Sequence, residues 1–184
     1  GVFGIISNEE VSPQIVLGLY DLQHRGEQGA GIAVSDGGEI KEYKGPGLVT
    51  EIFNEEKREV IFQKCKGNFG VGHTLYSTIG KTGEVKQPKT FQPLIGKFHD
   101  YSFAVSHNGN IVDYEPLKKE AKKKGYKFQS EASDTEVIVA LLATAPEENF
   151  LAALKRILPR LKGAFALTIL YKDKVIGVRD EHGV

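Results

Sequence analysis

The feature that most constrains the fold of this chain is a series of short apolar runs separated by glycine, which occurs 21 times in 184 residues. Runs of this length favour strands over helices, because strands span about 4–8 residues and helices about 10 or more. Some runs, such as AFALTIL at 164–170, are apolar at successive positions, so both faces of these strands should be covered. The strand candidates are 2–6, 31–35, 40–44, 69–74, 102–106, 164–171 and 175–179.

Helices are predicted from their boundary residues. Ser12, followed by proline and by apolar residues at helical spacing, begins a helix that Gly26 would end. Ser133 and Glu136 match a capping box at the start of another helix. Further helices are predicted over 113–124 and 148–158. Two layers of strands with helices outside would cover the strands on both faces, so the sequence predicts one α+β domain.

The balance of charge narrows the class of partner. Lysine and arginine number 24, and aspartate and glutamate also number 24, so no net field draws the chain to nucleic acid or to an anionic membrane. A small-molecule partner is therefore expected. The single cysteine, Cys65, excludes an internal disulfide and a cysteine-built zinc site, and it fits a reducing, cytoplasmic compartment. No apolar run approaches the roughly 20 residues that span a bilayer.

The segment 107–110 (HNGN) follows a strand candidate and has two interpretations. Asn-Gly tolerates positive φ, so a turn at the strand end is the ordinary one. In the other, the Asn108 side-chain amide and the Gly109 backbone N–H converge on one point and stabilise an oxyanion. His73 and His107 lack metal-ligand partners at fixed spacing, and both are predicted to be hydrogen-bonded structural residues.

Three more segments carry candidate functional residues. Asp134, within the capping box, would favour the first turn of its helix through the helix dipole, and it could also hold an ammonium group. Arg25 lies in a charged, glycine-rich segment at 23–31, which is either a helix end with a turn or a scaffold in which Arg25 braces a site. The stretch from 72 to about 87 is either a surface loop or a mobile lid.

Taken in order, a set of short segments resembles the N-terminal glutaminase domain of the glutamine phosphoribosylpyrophosphate amidotransferase (amidophosphoribosyltransferase) family. Each segment is weak evidence alone, but together, at matching separations, they cover essentially the whole chain. Related glutaminase domains, such as that of glucosamine phosphate synthase, share the Asn-Gly and Ser-Asp-Thr-Glu elements. The segments are GVFGI at 1–5, QHRG at 23–26, GHT at 72–74, HNGN at 107–110 and SDTE at 133–136.

The resemblance implies an N-terminal nucleophile hydrolase with a four-layer αββα sandwich. In that family the first residue is a cysteine whose thiol attacks the side-chain amide of glutamine, and its own α-amino group is the general base. An α-amino group titrates at about 7.7–8.0 and a thiol at about 8.5, so proton transfer between them is nearly balanced. By matching position, Asn108 and Gly109 would form the oxyanion hole, and Asp134 would hold the substrate's ammonium group.

The resemblance also implies supporting residues and one departure. Arg25 would help to order the site, and Tyr76 and Thr78 would lie on the loop that closes over glutamine. Where the family usually has an arginine that binds the glutamine α-carboxylate, this chain has Leu75, which offers no donor. Loss of charge-assisted hydrogen bonds of this kind would cost about 1.5–3 kcal/mol of binding for each bond.

The resemblance further implies a larger enzyme. Residues 1–184 are expected to form the glutaminase domain, with a phosphoribosyltransferase domain beyond residue 184. That domain would bind phosphoribosylpyrophosphate with Mg²⁺ and join ammonia to it, giving phosphoribosylamine in the first step of purine synthesis. No cofactor is expected in the glutaminase domain, and the complete enzyme is expected to be a homo-oligomer. The residues leave open whether it carries an iron–sulfur cluster or feedback nucleotide sites.

The cysteine expected immediately before Gly1 is absent from the sequence. Omission of that residue is favoured over its evolutionary loss, because Gly1 aligns with the second residue of the family. Cys65 lies in an unrelated segment and has no adjacent α-amino base. Two alternatives stay open: a catalytically silent glutaminase-like domain that binds or regulates, and a glutaminase that supplies a sugar-phosphate acceptor.

Overall fold

The computed structural model describes residues 1–76, 91–129 and 133–183. Within these ranges the chain forms the mixture of strands and helices expected of an α+β domain. The strands are β1 Val2–Ile6, β2 Gly29–Ser35, β3 Lys41–Pro46, β4 Phe69–Thr74, β5 Leu94–Phe98, β6 Tyr101–Val112, β7 Lys162–Tyr171 and β8 Lys174–Arg179. The α-helices are α1 Ser12–Asp21, α2 Val49–Ile52, α3 Glu55–Lys64, α4 Glu115–Lys123, α5 Asp134–Ala143 and α6 Phe150–Ile157, and 3₁₀ turns lie at Gln23–Arg25 and Leu158–Arg160.

These strands form two antiparallel sheets, with the orders β1-β4-β2-β3 and β5-β6-β7-β8. Between the sheets lies a buried cluster of Ala33, Val71, Ala104 and Leu170. A second buried cluster joins α1, α2 and α3 to the first sheet, and a third joins α5 and α6 to the second sheet. The layers are therefore helix, sheet, sheet and helix, which confirms the predicted sandwich. No helix in the described ranges is long and apolar enough to cross a membrane.

The structure corrects the boundary predicted for strand 102–106. Its end was expected at residue 106, with a turn at Asn-Gly, whereas β6 continues to Val112. The turn prediction is wrong because β7 pairs with β6 along this whole stretch, with Gly109 opposite Phe165. The positive φ of Gly109, 138°, is thus used inside a strand pair rather than in a turn.

Three elements have no counterpart among the predicted ones. Strand β5 is short, and only Leu94 and Phe98 at its two ends are buried, so its apolar pattern is weak. Helix α2 has only four residues. Helix α3 is mostly charged and buries Ile61 alone, although its start carries a recognisable signal, since the Asn54 side chain caps it. Tertiary contacts, rather than local patterns, determine these elements.

The helix starts follow the predictions more closely than the helix ends do. Helix α1 begins at Ser12 as predicted but ends at Asp21, and a 3₁₀ turn separates it from the glycine expected to end it. At α5 the Ser133 hydroxyl accepts a hydrogen bond from the Glu136 N–H over 3.1 Å, which confirms the serine half of the predicted capping box. The Glu136 carboxylate also accepts from the Gln129 N–H over 2.6 Å, so it fastens the preceding segment to the helix.

Candidate active site

The first residue of the chain lies at an edge of the first sheet, paired with the end of β4. The Gly1 nitrogen donates to the Thr74 carbonyl over 2.8 Å, and the Thr74 N–H donates to the Gly1 carbonyl over 3.0 Å. Gly1 is buried, and a Cβ there would lie 3.3 Å from the Cβ of Arg25. Burial and the Arg25 charge lower the pKa of the Gly1 amino group to about 5. An uncharged nitrogen is therefore favoured at this position.

Side chains along β1 point alternately toward helix α1 and toward the second sheet. The Phe3 ring lies against α1, where a Cβ on Gly18 would come within 2.2 Å of it. Gly4 faces the second sheet, because a Cβ there would lie 2.9 Å from Val175 of β8. Since side chains two residues apart on a strand share a face, Val2 also points toward the second sheet.

Arg25 is held beside Gly1 by the 3₁₀ turn that contains it. The Gln23 side chain bonds at both ends: its nitrogen donates to the Gly26 carbonyl over 2.6 Å, and its oxygen accepts from the first N–H of α2 over 2.7 Å. A Cβ on Gly26 would lie 2.5 Å from the carbonyl carbon of Leu75, so only glycine fits there. The turn is thus fixed against the segment that follows β4.

Leu75 and Tyr76 follow β4 directly. The Leu75 N–H donates to the Gly29 carbonyl over 2.7 Å, and the Leu75 carbonyl accepts from the Gln28 N–H over 3.1 Å. The Leu75 side chain is buried, whereas Tyr76 is 69% exposed. Thr78 lies outside the described residues. The position where the resemblance implies an arginine is therefore occupied by a buried apolar side chain.

Gly109 lies on β6 beyond the part of that strand with which β5 pairs. On the edge left open by β5, the His107 N–H donates to the Gln92 side-chain oxygen over 2.6 Å. The Ile111 N–H also has a side-chain acceptor, since it donates to Asp134 Oδ2 over 2.9 Å. His107 and Ile111 lie two residues before and two residues after Gly109. N–H groups two residues apart on a strand point the same way. The Gly109 N–H is therefore directed to the same open edge.

The hydrogen bonds of β7, the strand opposite Gly109, agree with this direction of the Gly109 N–H. Phe165, opposite Gly109, donates its N–H to Asp180 Oδ2 over 3.0 Å, and its carbonyl accepts from the Asp180 N–H over 2.9 Å. Both backbone groups of Phe165 thus point away from β6, as in a non-hydrogen-bonded antiparallel pair. A Cβ on Gly109 would lie 2.1 Å from the Ala164 carbonyl oxygen, so glycine is required. Asn108, whose side chain is half-buried, directly precedes this donor.

Asp134 lies next to this edge at the start of α5. Besides the Ile111 N–H, its carboxylate accepts the Thr135 N–H over 2.8 Å through Oδ1. The Asp134 side chain remains 22% exposed. A partly exposed carboxylate two strand positions from Gly109 can hold an ammonium group.

His107 connects the two sheets and the start of α5. Its carbonyl oxygen lies 3.0 Å from His73 Nε2, and its own Nδ1 lies 3.0 Å from the Thr135 hydroxyl. Gln92 Nε2 donates to the same hydroxyl over 3.2 Å. Burial lowers the pKa of His107, and the nearby Asp134 charge only partly opposes this, so the ring is neutral. Both histidines are hydrogen-bonded, as predicted.

Most of the predicted site residues therefore lie at one end of the sandwich. Val2 pairs with His73, and the His73 ring reaches His107, so the start of β1 and the open edge of β6 are neighbours. Sequence patterns did not identify Gln92 or Thr135. Gln92 lies in no recognisable motif, and Thr135 lies within the capping box, where only Ser133 and Glu136 have an expected role. The predicted residues at this end are Arg25, Leu75, Tyr76, Asn108, Gly109 and Asp134.

Comparison with known proteins agrees with this arrangement. Residues 81–184 match the family of the glutamine amidotransferase domain. The match covers more than half of the chain, and the chain belongs to this family.

Over its whole length the chain is 39% identical, across 185 residues, to the amidophosphoribosyltransferase of Staphylococcus aureus strain Mu50, and it covers 36% of that protein. It is 41% identical across 187 residues to the amidophosphoribosyltransferase of Methanocaldococcus jannaschii, and it covers 38% of that protein. The solved structure of glutamine phosphoribosylpyrophosphate amidotransferase from B. subtilis, complexed with ADP and GMP, matches with a TM-score of 0.84 and 36% identity, over 99% of this chain and 37% of that chain. The chain thus spans little more than a third of the length of these relatives.

Proposed function

We propose that this chain hydrolyses the side-chain amide of glutamine and supplies the ammonia for transfer to phosphoribosylpyrophosphate. The observation that carries the proposal is the direction of the Gly109 N–H, which points to an open strand edge between two N–H groups that already have partners. This N–H would be one oxyanion donor, and the Asn108 side-chain amide would be the second. The Asp134 carboxylate beside them would bind the α-ammonium group of glutamine.

The nucleophile in this proposal is a cysteine bonded to the Gly1 nitrogen. Side chains of β1 alternate, so a residue at that position would point toward the second sheet, as Val2 and Gly4 do. That direction leads to the end of the sandwich where His73 contacts His107.

The reaction then follows from the groups at this end. The cysteine thiol passes its proton to its own α-amino group, and the thiolate forms a bond to the amide carbon of glutamine. Asn108 and Gly109 stabilise the resulting oxyanion. The C–N bond then breaks as the protonated α-amino group of the cysteine gives its proton to the leaving nitrogen, which departs as ammonia. Water then attacks the thioester, which releases glutamate and restores the thiol. Arg25, whose Cβ would lie 3.3 Å from a Cβ on Gly1, would help to order this end of the site.

The acceptor of the ammonia would bind to another domain of a larger enzyme, which we propose contains this domain. The relatives named above are amidophosphoribosyltransferases, which favours phosphoribosylpyrophosphate over a sugar phosphate. A phosphoribosyltransferase domain beyond residue 184 would bind that acceptor with Mg²⁺, in a homo-oligomeric protein. Within the described ranges no three His, Cys, Asp or Glu side chains group as metal ligands.

The test begins with the intact mass of the natural protein's N-terminus. We expect a mature chain that starts Cys-Gly-Val-Phe, releases glutamate from glutamine, and forms phosphoribosylamine when phosphoribosylpyrophosphate is present. Product formation with a sugar phosphate instead would replace the acceptor and keep the glutaminase. A chain that starts at Gly1 and releases no glutamate would refute the hydrolytic function.

Asn108→Ala tests the oxyanion role in the same protein. We expect kcat for glutamate release to fall by about 10²–10³-fold, with little change in the glutamine KM, because the lost donor acts on the transition state. Asn68→Ala is the matched control, since the Asn68 side chain donates to the Glu9 carbonyl far from this edge and its loss should leave kcat unchanged. Equal effects of the two substitutions would exclude Asn108 from the oxyanion hole.

A second candidate function is a catalytically silent glutaminase-like domain that binds a partner or regulates. It is favoured by Leu75, because a buried apolar side chain offers the glutamine α-carboxylate no donor where the resemblance implies an arginine. A glutaminase assay and a calorimetric titration with glutamine, on a chain whose N-terminal cysteine is confirmed, distinguish the two. The absence of both glutamate release and glutamine binding in that chain would establish the silent domain.

A further inference from the structure

The reaction proposed above makes no use of Gln92, His107 and Thr135, which are buried directly behind the oxyanion edge. Their exposed fractions are 8%, 4% and 2% respectively, so none of them offers a surface to glutamine. Each is polar, and each bonds to at least one of the other two. Buried polar groups are costly unless they have hydrogen-bond partners. We therefore ask what these three side chains contribute to the site.

The Gln92 side chain makes a hydrogen bond to β6 that a neighbouring strand would otherwise make. Strand β5 begins at Leu94, which lies opposite Val105, so the β5 backbone does not reach His107. The Gln92 side-chain oxygen instead accepts the His107 N–H over 2.6 Å, the bond that a neighbouring strand would otherwise provide. Among the described residues, the edge of β6 therefore has a hydrogen-bond partner at His107 and none at the next N–H on the same side, that of Gly109.

Thr135 determines how the other two bond. Its hydroxyl lies within hydrogen-bonding distance of Gln92 Nε2, at 3.2 Å, His107 Nδ1, at 3.0 Å, and Asp134 Oδ1, at 3.4 Å. A carboxylate can only accept and Gln92 Nε2 can only donate, so the hydroxyl donates to Asp134 and accepts from Gln92. Its remaining lone pair is then available to His107 Nδ1, an arrangement that fits an imidazole with its proton on Nδ1.

The other ring nitrogen is consistent with this tautomer. His107 Nε2 is buried and has no hydrogen-bond partner among the described residues. A buried N–H without an acceptor is costly, and the Nδ1–H tautomer places no N–H at Nε2. The ring is thus a neutral Nδ1–H imidazole that faces Thr135 and Asp134 on α5, while the His107 carbonyl faces the His73 ring of β4.

We propose that Gln92, His107 and Thr135 are positioning residues for the hydrolysis of glutamine. They fix the backbone of β6 at His107 and thereby aim the Asn108 side chain and the Gly109 N–H at the reacting carbonyl. This inference rests on the proposed function. Small displacements of catalytic groups are expensive, since a shift of about 1 Å can cost about 10²-fold in rate.

Thr135→Val and Thr135→Ser form the first test pair, in the full-length protein with its N-terminal cysteine. Valine has nearly the shape of threonine but no hydroxyl, so we expect kcat per active site to fall roughly ten- to hundredfold while the glutamine KM changes by less than about threefold. Serine keeps the hydroxyl and should restore kcat to within about threefold of the unaltered protein. Equal kcat values for the two variants would overturn the proposal.

His107→Asn and His107→Leu form the second pair. The asparagine amide places a donor where Nδ1–H lies, so His107→Asn should retain most of kcat, whereas His107→Leu should lose roughly ten- to hundredfold. Equal losses in both variants would show that the donor to Thr135 is not what matters. If either substitution prevents folding, the Thr135 pair decides alone.

A readout that does not need catalysis separates this proposal from the proposed function. In an NMR spectrum, the amide signals of Asn108 and Gly109 should shift in Thr135→Val and stay in place in Thr135→Ser. This outcome supports the positioning role even if the unaltered protein releases no glutamate, a result that would refute the glutaminase function alone. Unshifted signals in Thr135→Val would refute the positioning role whatever the activity.

Discussion

At the scale of single residues, the edge that carries Asn108 depends on two glycines with positive φ on neighbouring strands. Gly109 has a φ of 138° and Gly163 has a φ of 120°. Gly163 lies opposite Ile111, and a Cβ there would lie 2.2 Å from the Asn110 carbonyl oxygen. The two backbones therefore approach more closely than side chains would permit, so both glycines help to shape the edge.

Gly163→Ala is expected to destabilise the protein more than a positive φ alone explains. Gly125→Ala is the matched control, because Gly125 has a φ of 91° and nothing within 4 Å of a Cβ. The control should lose about 1–2 kcal/mol of unfolding free energy through backbone strain, and Gly163→Ala should lose about 3–5 kcal/mol because it adds a clash with backbone. Urea denaturation of both variants measures the difference, and equal losses would contradict the close approach.

At the scale of elements, an ion pair fastens α4 to the turn that follows α6. The Arg160 guanidinium bonds to the Glu120 carboxylate, and Lys124, one helical turn along, lies 3.0 Å from the same carboxylate. Hydrogen bonds from Arg160 and Lys124 lower the pKa of Glu120 to about 2. The folded protein therefore binds a proton at Glu120 less readily than the unfolded chain does.

The stabilisation from Glu120 should depend on pH in a defined direction. A lowered pKa in the folded state contributes stability above the unfolded value of about 4.5, and the contribution disappears as pH falls from there toward 2. We expect Glu120→Gln to lower the unfolding free energy by at most about 1 kcal/mol at pH 7, since the pair is partly exposed. The loss should shrink steadily in urea denaturation between pH 5 and about 3.

The control for this pH dependence is Glu39→Gln. Glu39 is exposed, and the structure gives its side chain no hydrogen bond or ion pair within the described residues. Its substitution should leave the unfolding free energy nearly unchanged at every pH. A loss in Glu120→Gln that stays constant down to pH 3 would contradict the lowered pKa.

At the scale of the whole molecule, a small apolar cluster between the sheets holds the two halves of the sandwich together. It contains Ala33 and Val71 from the first sheet and Ala104 and Leu170 from the second. Because the site draws Gly1 from one sheet and Gly109 from the other, its geometry depends on how these sheets stack.

Leu170→Ala is expected to lower the unfolding free energy by about 2–5 kcal/mol, because it removes a fully buried side chain and leaves a cavity. Amide exchange should also become faster in both sheets, since the cluster is shared. Leu151→Ala is the matched control, because Leu151 is exposed on α6 and should cost less than about 1 kcal/mol. Faster exchange in the second sheet alone would show that the sheets unfold independently.

The sequence alone determined the features that depend on neighbouring residues. The cap of α5 at Ser133, the start of α1 at Ser12 and most strand positions follow from local chemistry, because hydrogen bonds and side-chain alternation act over a few residues. The order of its motifs also indicated a glutamine amidotransferase domain, and the chain belongs to that family.

The tertiary structure alone decided what lies across the sheets. Strand β6 extends past residue 106 because β7 pairs with it, and the charged helix α3 forms although its local pattern is weak. Gln92 is important because its amide occupies the place of an absent strand beside His107. Such contacts join residues far apart in the chain, and no local pattern records them, since long-range packing overrides local propensity.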